Sequence, residues 1–188
     1  MQPSLTPHPF WNFSLEVYGG EGVARACLDL QDRRQADVNV LLFCCWLGAS
    51  GRGRIDKADL KALVERVKDW QLEVIRPLRL ARRKLAEGVA HAPEQQAEPL
   101  RRRLADAEIE AEHVEQLMLA ERYAYPGNRD RPPKERLTAS LGNLVAYSEI
   151  LDLAVDRRDR DQVAIILTAC FPNLLPQEIG HALNLDRA

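Results

Sequence analysis

The sequence predicts an all-α fold, a compact multi-helix bundle around a buried central helix. Three observations lead there. No window of the 188 residues sustains the alternation of apolar and polar side chains between turn signals that strands would show. Apolar residues recur instead at steps of three and four along most of the chain, the period of helices that bury one face. Between Asp37 and Leu47 the pattern goes further: Asn39 is the only strongly polar side chain after Asp37, and a helix apolar on every side has to lie inside a core. The run is about half as long as the roughly 20 apolar residues a membrane helix needs, so a buried helix is expected and not a membrane span.

Each element follows from its own pattern. Phe10, Phe13 and Val17 share one helical stripe and Trp11, Leu15 and Tyr18 the next, a wide apolar face that starts after Pro9 and stops at Gly19 and Gly20. A second helix from about Glu21 places Val23, Ala26, Cys27 and Leu30 on one face. Asp37 suits the N-cap of the central helix, and the glycine-rich stretch 48–53 ends it. Asn39 needs a partner, on a neighbouring helix or in a small polar pocket, because a buried amide left unpaired costs about 1–3 kcal/mol. Asp56 reads as the next N-cap, ahead of a seam of Leu60, Leu63, Val67, Trp70 and Val74. Pro77 either kinks that helix or begins a new one, whose stripe of Leu78, Ala81 and Leu85 runs to about Gly88.

Residues 89–99, with Pro93 and Pro99, read as a connection that merges into the next helix. From Leu100 the series Leu100, Leu104, Ala107, Ala111, Val114 and Met118 marks one packed stripe, and the other faces, dense in Arg and Glu, are expected in water. Neither Arg103 with Ala107 nor Glu108 with Glu112 makes a special pair on this helix. Tyr123–Arg136, with Pro126-Gly127 and Pro132-Pro133, is the strongest loop signal and is expected to be exposed and flexible. A seam of Leu137, Leu141, Leu144, Ser148, Leu151 and Val155 follows, then a charged link at 156–161. Val163, Ile166, Leu167 and Cys170 mark a shorter helix stopped by Pro172, and Pro176 opens a last one that docks through Ile179, Ala182 and Leu183.

A chain of this length with 46% hydrophobic residues supports one sizeable core. Residues 1–188 are therefore expected to form a single all-helical domain, with helices of 99–185 packed on an N-terminal half at 10–88. The balance of 26 basic against 28 acidic residues argues against a surface that draws nucleic acid or anionic lipid as a whole. The first residues lack the basic and apolar regions of a signal peptide, which points to the cytoplasm. Cys27, Cys44, Cys45 and Cys170 fall in apolar helical patterns without a CxxC pair or zinc-finger spacing, so they read as buried reduced thiols.

No phosphate-binding glycine loop, nucleophile elbow or HExxH helix is present. No catalytic, cofactor-binding or metal-ligating residue is therefore assigned, and a non-enzymatic role is the expectation. One constellation is worth weighing. Two Glu-x-x-His pairs, Glu110 with His113 and Glu178 with His181, alternate with Glu16 and Glu149 in the order used by di-iron carboxylate bundles. A real site requires Glu110, His113, Glu149 and His181 to converge in the interior; among 28 acidic residues such an order also arises by chance, and Gly180 falls inside the second pair. A second candidate is the stripe of Arg76, Arg79 and Arg83, reinforced by Arg82, Lys84 and Arg101 to Arg103, which could grip RNA phosphates. Glu73, Glu87, Asp106 and Glu108 on the same helices, and no interleaved aromatic residue, favour a solvated face. The aromatic run Phe10 to Tyr18 favours core packing over a ligand box.

The strings Phe10-Trp11-x-Phe13-Ser14-Leu15-x-Val17-Tyr18, Gly22-Val23-x-x-Ala26-Cys27-Leu28-x-Leu30-Gln31 and Asp37-Val38-Asn39-x-Leu41-Leu42, with Trp46, Trp70 and Pro77-Leu78-Arg79, carry a resemblance. Over about the first 85 residues the chain resembles a family of small, all-helical proteobacterial proteins known only as a domain of unknown function. The resemblance implies a bacterial cytoplasmic helical protein and supplies no activity, cofactor or catalytic residue. The residues themselves point to a protein–protein interaction or adaptor module that offers a helical face, or the Tyr123–Arg136 loop, to a protein partner, a second copy of the chain included. That reading expects Glu110 and His113 to face water. The alternatives are a carboxylate/His metal-binding bundle and an RNA-binding helical module.

Overall fold

Asp37 starts the element around which the others gather. In the computed structural model, which describes residues 5–185, its side chain accepts hydrogen bonds from the Asn39 and Val40 amides and opens helix α3 (Val38–Ala49). Every residue from Asn39 to Ala49 is buried, so α3 meets protein on all sides. Its neighbours are α1 (Pro9–Tyr18), α2 (Val23–Arg34), α6 (Glu94–Ala120), α7 (Pro133–Ile150) and α8 (Arg157–Cys170), with α4 (Lys57–Trp70), α5 (Arg76–Glu87) and α9 (Pro176–Leu185) outside them. Among the described residues there is no strand.

The most extensive contact is between α3 and α7, and it is close because both surfaces are small and polar enough to touch backbone to backbone. A Cβ on Gly48 would fall 2.2 Å from Ser140 Oγ and 2.6 Å from the Arg136 carbonyl oxygen. Ser140 donates to the Cys45 carbonyl at 3.0 Å, and Asn143, fully buried, donates to the Cys44 carbonyl at 3.2 Å and accepts from the Ile55 amide at 3.0 Å. On the opposite side Phe10 packs against Phe43 and Trp46, with ring centroids 5.5 and 5.2 Å apart. Val23, Ala26, Cys27 and Leu30 form the buried face of α2 as the spacing indicates, and Asp56 caps α4 by accepting from the Ala58 amide.

Four boundaries differ from the sequence expectation. Pro77 does not break the chain of turns. The segment Gln71–Ile75 is a π-turn, in which the Arg76 amide donates to the Gln71 carbonyl, and its wider ring carries the helix past a proline that cannot donate. The extra residue shifts burial from Val74, only half-buried, to Gln71 and Ile75. Helix α6 starts at Glu94 and contains Pro99. Glu, Gln and Ala are strong helix formers, and an exposed carbonyl one turn before the proline can turn to water. The charged link at 156–161 is the first turn of α8, closed by a capping box in which the Asp156 and Asp159 side chains each accept from the other's amide. Val155 is exposed beyond the end of α7.

Of the predicted Tyr123–Arg136 loop, Pro133–Arg136 form the first turn of α7; the stretch before it is largely exposed, and it is pinned to the end of α3 rather than free. Arg52 donates to the Tyr123 and Tyr125 carbonyls, Arg136 donates to the Ala49 carbonyl at 2.6 Å, and the Asn128 amide donates to Gly51. Gly51, at φ +78°, has no room for a Cβ, which would lie 1.8 Å from the Asn128 carbonyl oxygen.

Replacing Gly48 by Ala is expected to force α3 and α7 apart and cost about 2–3 kcal/mol in urea unfolding. Gly180→Ala in α9, where a Cβ meets nothing within 4 Å, is expected to gain about 0.5–1 kcal/mol in the same measurement.

Candidate functional site

Helix α6 carries the polar interior of the protein. Its buried face is not the apolar series Leu100 to Met118: Val114 is 39% exposed and Leu100 42%. Glu108, Ala111, Glu115, Gln116 and Leu119, which recur at steps of three, four, one and three, turn inward instead. Three of these five are polar, so α6 is drawn in by specific partners rather than by apolar area.

The partner that Asn39 requires stands here. Asn39 Nδ2 donates to Glu115 Oε2 at 2.5 Å, Gln116 Nε2 donates to Asn39 Oδ1 at 2.8 Å, and Ser14 Oγ donates to Gln116 Oε1 at 3.1 Å. The chain of bonds ties α1, α3 and α6 together inside the core. Glu115 is fully buried, and its Oε1 meets no donor among the described residues. Burial, then the adjacent Asp37 carboxyl group, push its pKa up to about 10. The carboxyl group is therefore protonated at neutral pH, which removes the charge that an unpartnered buried oxygen would otherwise carry. Tyr147, buried at the other side of Asp37, accepts from the Asp37 amide at 2.8 Å.

One turn earlier on α6, the second polar knot fixes α5. Arg79 donates to Glu108 at 2.8 Å, to Glu112 at 2.7 Å and to Gln31 of α2 at 2.6 Å, and Arg82 donates to Glu108 at 2.5 Å. Burial opposes ionisation of Glu108, but Arg82 and Arg79 outweigh it and hold its pKa below the usual carboxylate range. Glu108, expected on a solvated face of the helix, is thus buried and paired with both arginines. Beyond this root α5 and α6 run side by side as a hairpin in which α5 has no fully buried residue. Leu72, Leu80 at 60%, Leu100 and Ile109 remain exposed along it.

The residues singled out from sequence are dispersed. Glu110 is exposed, whereas His113 is buried, contrary to the expectation that it faces water. Its Nε2–H donates to the Thr6 carbonyl at 3.0 Å, and its ring meets the edge of Trp11 at 4.9 Å. Glu149 pairs with Lys57 at 2.6 Å and Glu178 with Lys134 at 2.9 Å, while Glu16 and His181 are exposed. No group of three or more His, Cys, Asp or Glu among the described residues is placed to hold a metal ion. Most of the arginine stripe is compensated: Arg79 and Arg82 point inward as above, Arg83 pairs with Asp32, Lys84 with Glu87, and Arg101 and Arg102 with Glu98, whereas Arg76 and Arg103 are exposed without a carboxylate partner among the described residues. Phe10 and Trp11 are core.

The signal that could have found the polar face is the recurrence of Glu108, Glu112, Glu115 and Leu119 at steps of four, three and four, a seam as regular as any apolar one. Arg33 and Arg34 give a similar case: both bind Asp159, buried in the capping box of α8, at 2.7 Å.

Fold and site together define an all-α protein with a buried polar centre and an exposed, charge-rooted helical hairpin, and no described helix is long and apolar enough to cross a membrane. The chain belongs to the family described as Protein of unknown function (DUF2390), which matches residues 9–119. The match extends past the first 85 residues to the last turn of α6 and so takes in the whole hairpin. Comparison with curated proteins and with solved structures gives no match.

Glu115 generates a pH prediction. Its ordinary value is 4.5, and between there and about 10 the folded chain holds a proton that the unfolded chain has lost. Its contribution to stability is greatest below about 4.5 and declines as pH rises through that window. Glu115→Gln, which keeps a donor towards Asp37 and an acceptor for Asn39, is expected to flatten urea-unfolding stability between pH 5 and 9, and Glu115→Ala to lose about 3 kcal/mol. The thiols generate another. All four cysteines are free and buried, and burial pushes Cys27 up to about 12 and Cys44 and Cys170 well above the ordinary thiol range. A thiol-specific chromogenic reagent is expected to titrate four groups in urea and react at least tenfold more slowly with native protein.

Proposed function

We propose that the protein is a non-enzymatic, cytoplasmic bacterial adaptor whose partner-binding element is the α5–α6 hairpin. The observation that carries this reading is Leu80, 60% exposed on a helix that buries no side chain completely, with Leu72, Leu100 and Ile109 exposed along the same hairpin. Exposed apolar side chains on a helix pair in which α5 has no buried residue of its own favour association over solvation. The Arg79 knot supports the same reading, because three charge-assisted hydrogen bonds to α6 and α2 hold the hairpin at one angle and so reduce the entropy lost on binding. The Tyr123–Arg136 loop is the weaker presenting element, since its backbone is already bonded to the end of α3.

A photoreactive amino acid placed in vivo at Leu80 or Ile109 is expected to give one discrete cross-linked species, and the same group at the exposed Lys61 of α4 none. Leu80→Glu, with an unchanged melting temperature, is expected to abolish the Ile109 adduct. An adduct of twice the chain mass assigns the partner as a second copy. No adduct from either hairpin position overturns the assignment of the hairpin.

A further inference from the structure

A cavity of about 410 Å³ opens between α2, α7, α8 and the turn after α7, away from the hairpin. Its size falls within the roughly 300–1,000 Å³ of small-molecule sites. Leu41, Leu144, Leu151, Leu153 and Val163 line it, and the chain reversal at Asp152, φ +53°, brings Leu151 and Leu153 to its wall. The aromatic ring among the lining residues is Tyr147, whose hydroxyl is already bonded to the Asp37 amide. The wall is therefore mainly aliphatic, with one tyrosine ring whose hydroxyl oxygen is engaged by the Asp37 amide, which suits a flexible aliphatic chain rather than a heterocycle.

The mouth is charged, and its charges are unevenly spent. Asp159 is saturated by Arg33, Arg34 and the Asp156 amide, and Arg34 is shared with Asp156. Glu149 is neutralised by Lys57. Arg160 has no carboxylate partner among the described residues; one of its nitrogens donates to the carbonyl of Val155 at 3.2 Å, which holds the guanidinium at the rim while other N–H groups stay available. A guanidinium beside an aliphatic cavity takes an anionic head attached to an apolar body. The lining is far smaller than the roughly 800 Å² per partner of a stable protein interface, so a small ligand fits it better than a second copy of the chain.

We propose that this cavity binds an aliphatic carboxylate of medium chain length, with the chain among Leu41, Leu144 and Val163 and the carboxylate on Arg160. The test is calorimetry of the full-length protein with hexanoate, decanoate and decanol. Decanoate is expected to bind more tightly than hexanoate, by up to about fourfold per added methylene while the cavity fills. Arg160→Gln is expected to weaken decanoate roughly tenfold and leave decanol unchanged. Leu144→Trp, which fills the cavity, is expected to abolish both. Because the Trp variant can disturb folding, the Arg160→Gln comparison decides by itself: equal decanoate affinity in that variant and the wild type overturns the proposal. Absence of any decanoate binding overturns it too, as does a concentration-dependent dimer lost on Leu144→Trp, which would assign the cavity to a second copy.

Discussion

A helix without a polar side cannot stop at one neighbour, and the burial of α3 from Asn39 to Ala49 sets the terms for everything packed on it. Each fully buried Leu, Val or Phe contributes on the order of 1.5–3 kcal/mol, but only if its whole side chain is covered. Coverage comes from α1, α2, α6, α7 and α8, and the two closest approaches use different means. Against α7, α3 offers Gly48 and bare carbonyls, which Ser140 and Asn143 satisfy. Against α6 it offers Asn39, which only a polar helix face can meet. The family stretch ends at residue 119, so α7, the largest partner of its most apolar helix, is supplied by residues beyond the match.

The polar centre trades apolar area for selectivity. A helix that enters the core with Glu108, Glu115 and Gln116 in its buried face fits only where Arg79, Asn39 and Asp37 wait for it. Any rotation of α6 would leave an unpaired carboxyl group or amide in the interior, at a cost that new apolar packing could not offset. The neutral Glu115 and the ionised Glu108 solve the same problem in opposite ways: one keeps its proton next to a carboxyl group, and the other loses it between two guanidinium groups.

Much of this architecture is legible in the sequence, and the part that is not has a common cause. The central helix, the stripe of α2, the Asp37 and Asp56 caps and the need of Asn39 for a partner all rest on local pattern, which survives in the folded protein. What pattern reading misses is decided by distant charges. Glu108, His113 and Asp159 read as surface residues because their partners, Arg79, Thr6 and the Arg33–Arg34 pair, lie between 29 and 126 positions away. The ExxH order fails for the complementary reason: spacing puts Glu110 and His113 on neighbouring parts of α6, but only His113 turns inward.

The π-turn at Gln71–Ile75 sets the phase of everything after it. One additional residue in a helix rotates all later side chains by about 100° about the axis while advancing them only about 1.5 Å. Without that residue Arg79 would swing away from Glu108 and Glu112, and a different side of α5 would face α6. The hairpin's outward leucines and its inward arginines are therefore one choice made upstream, at the turn that precedes α5. In evolutionary terms, a one-residue length change near Gln71 is a switch of surface identity, whereas the same change in the exposed stretch between Gly88 and Pro93 alters only the reach of the connection.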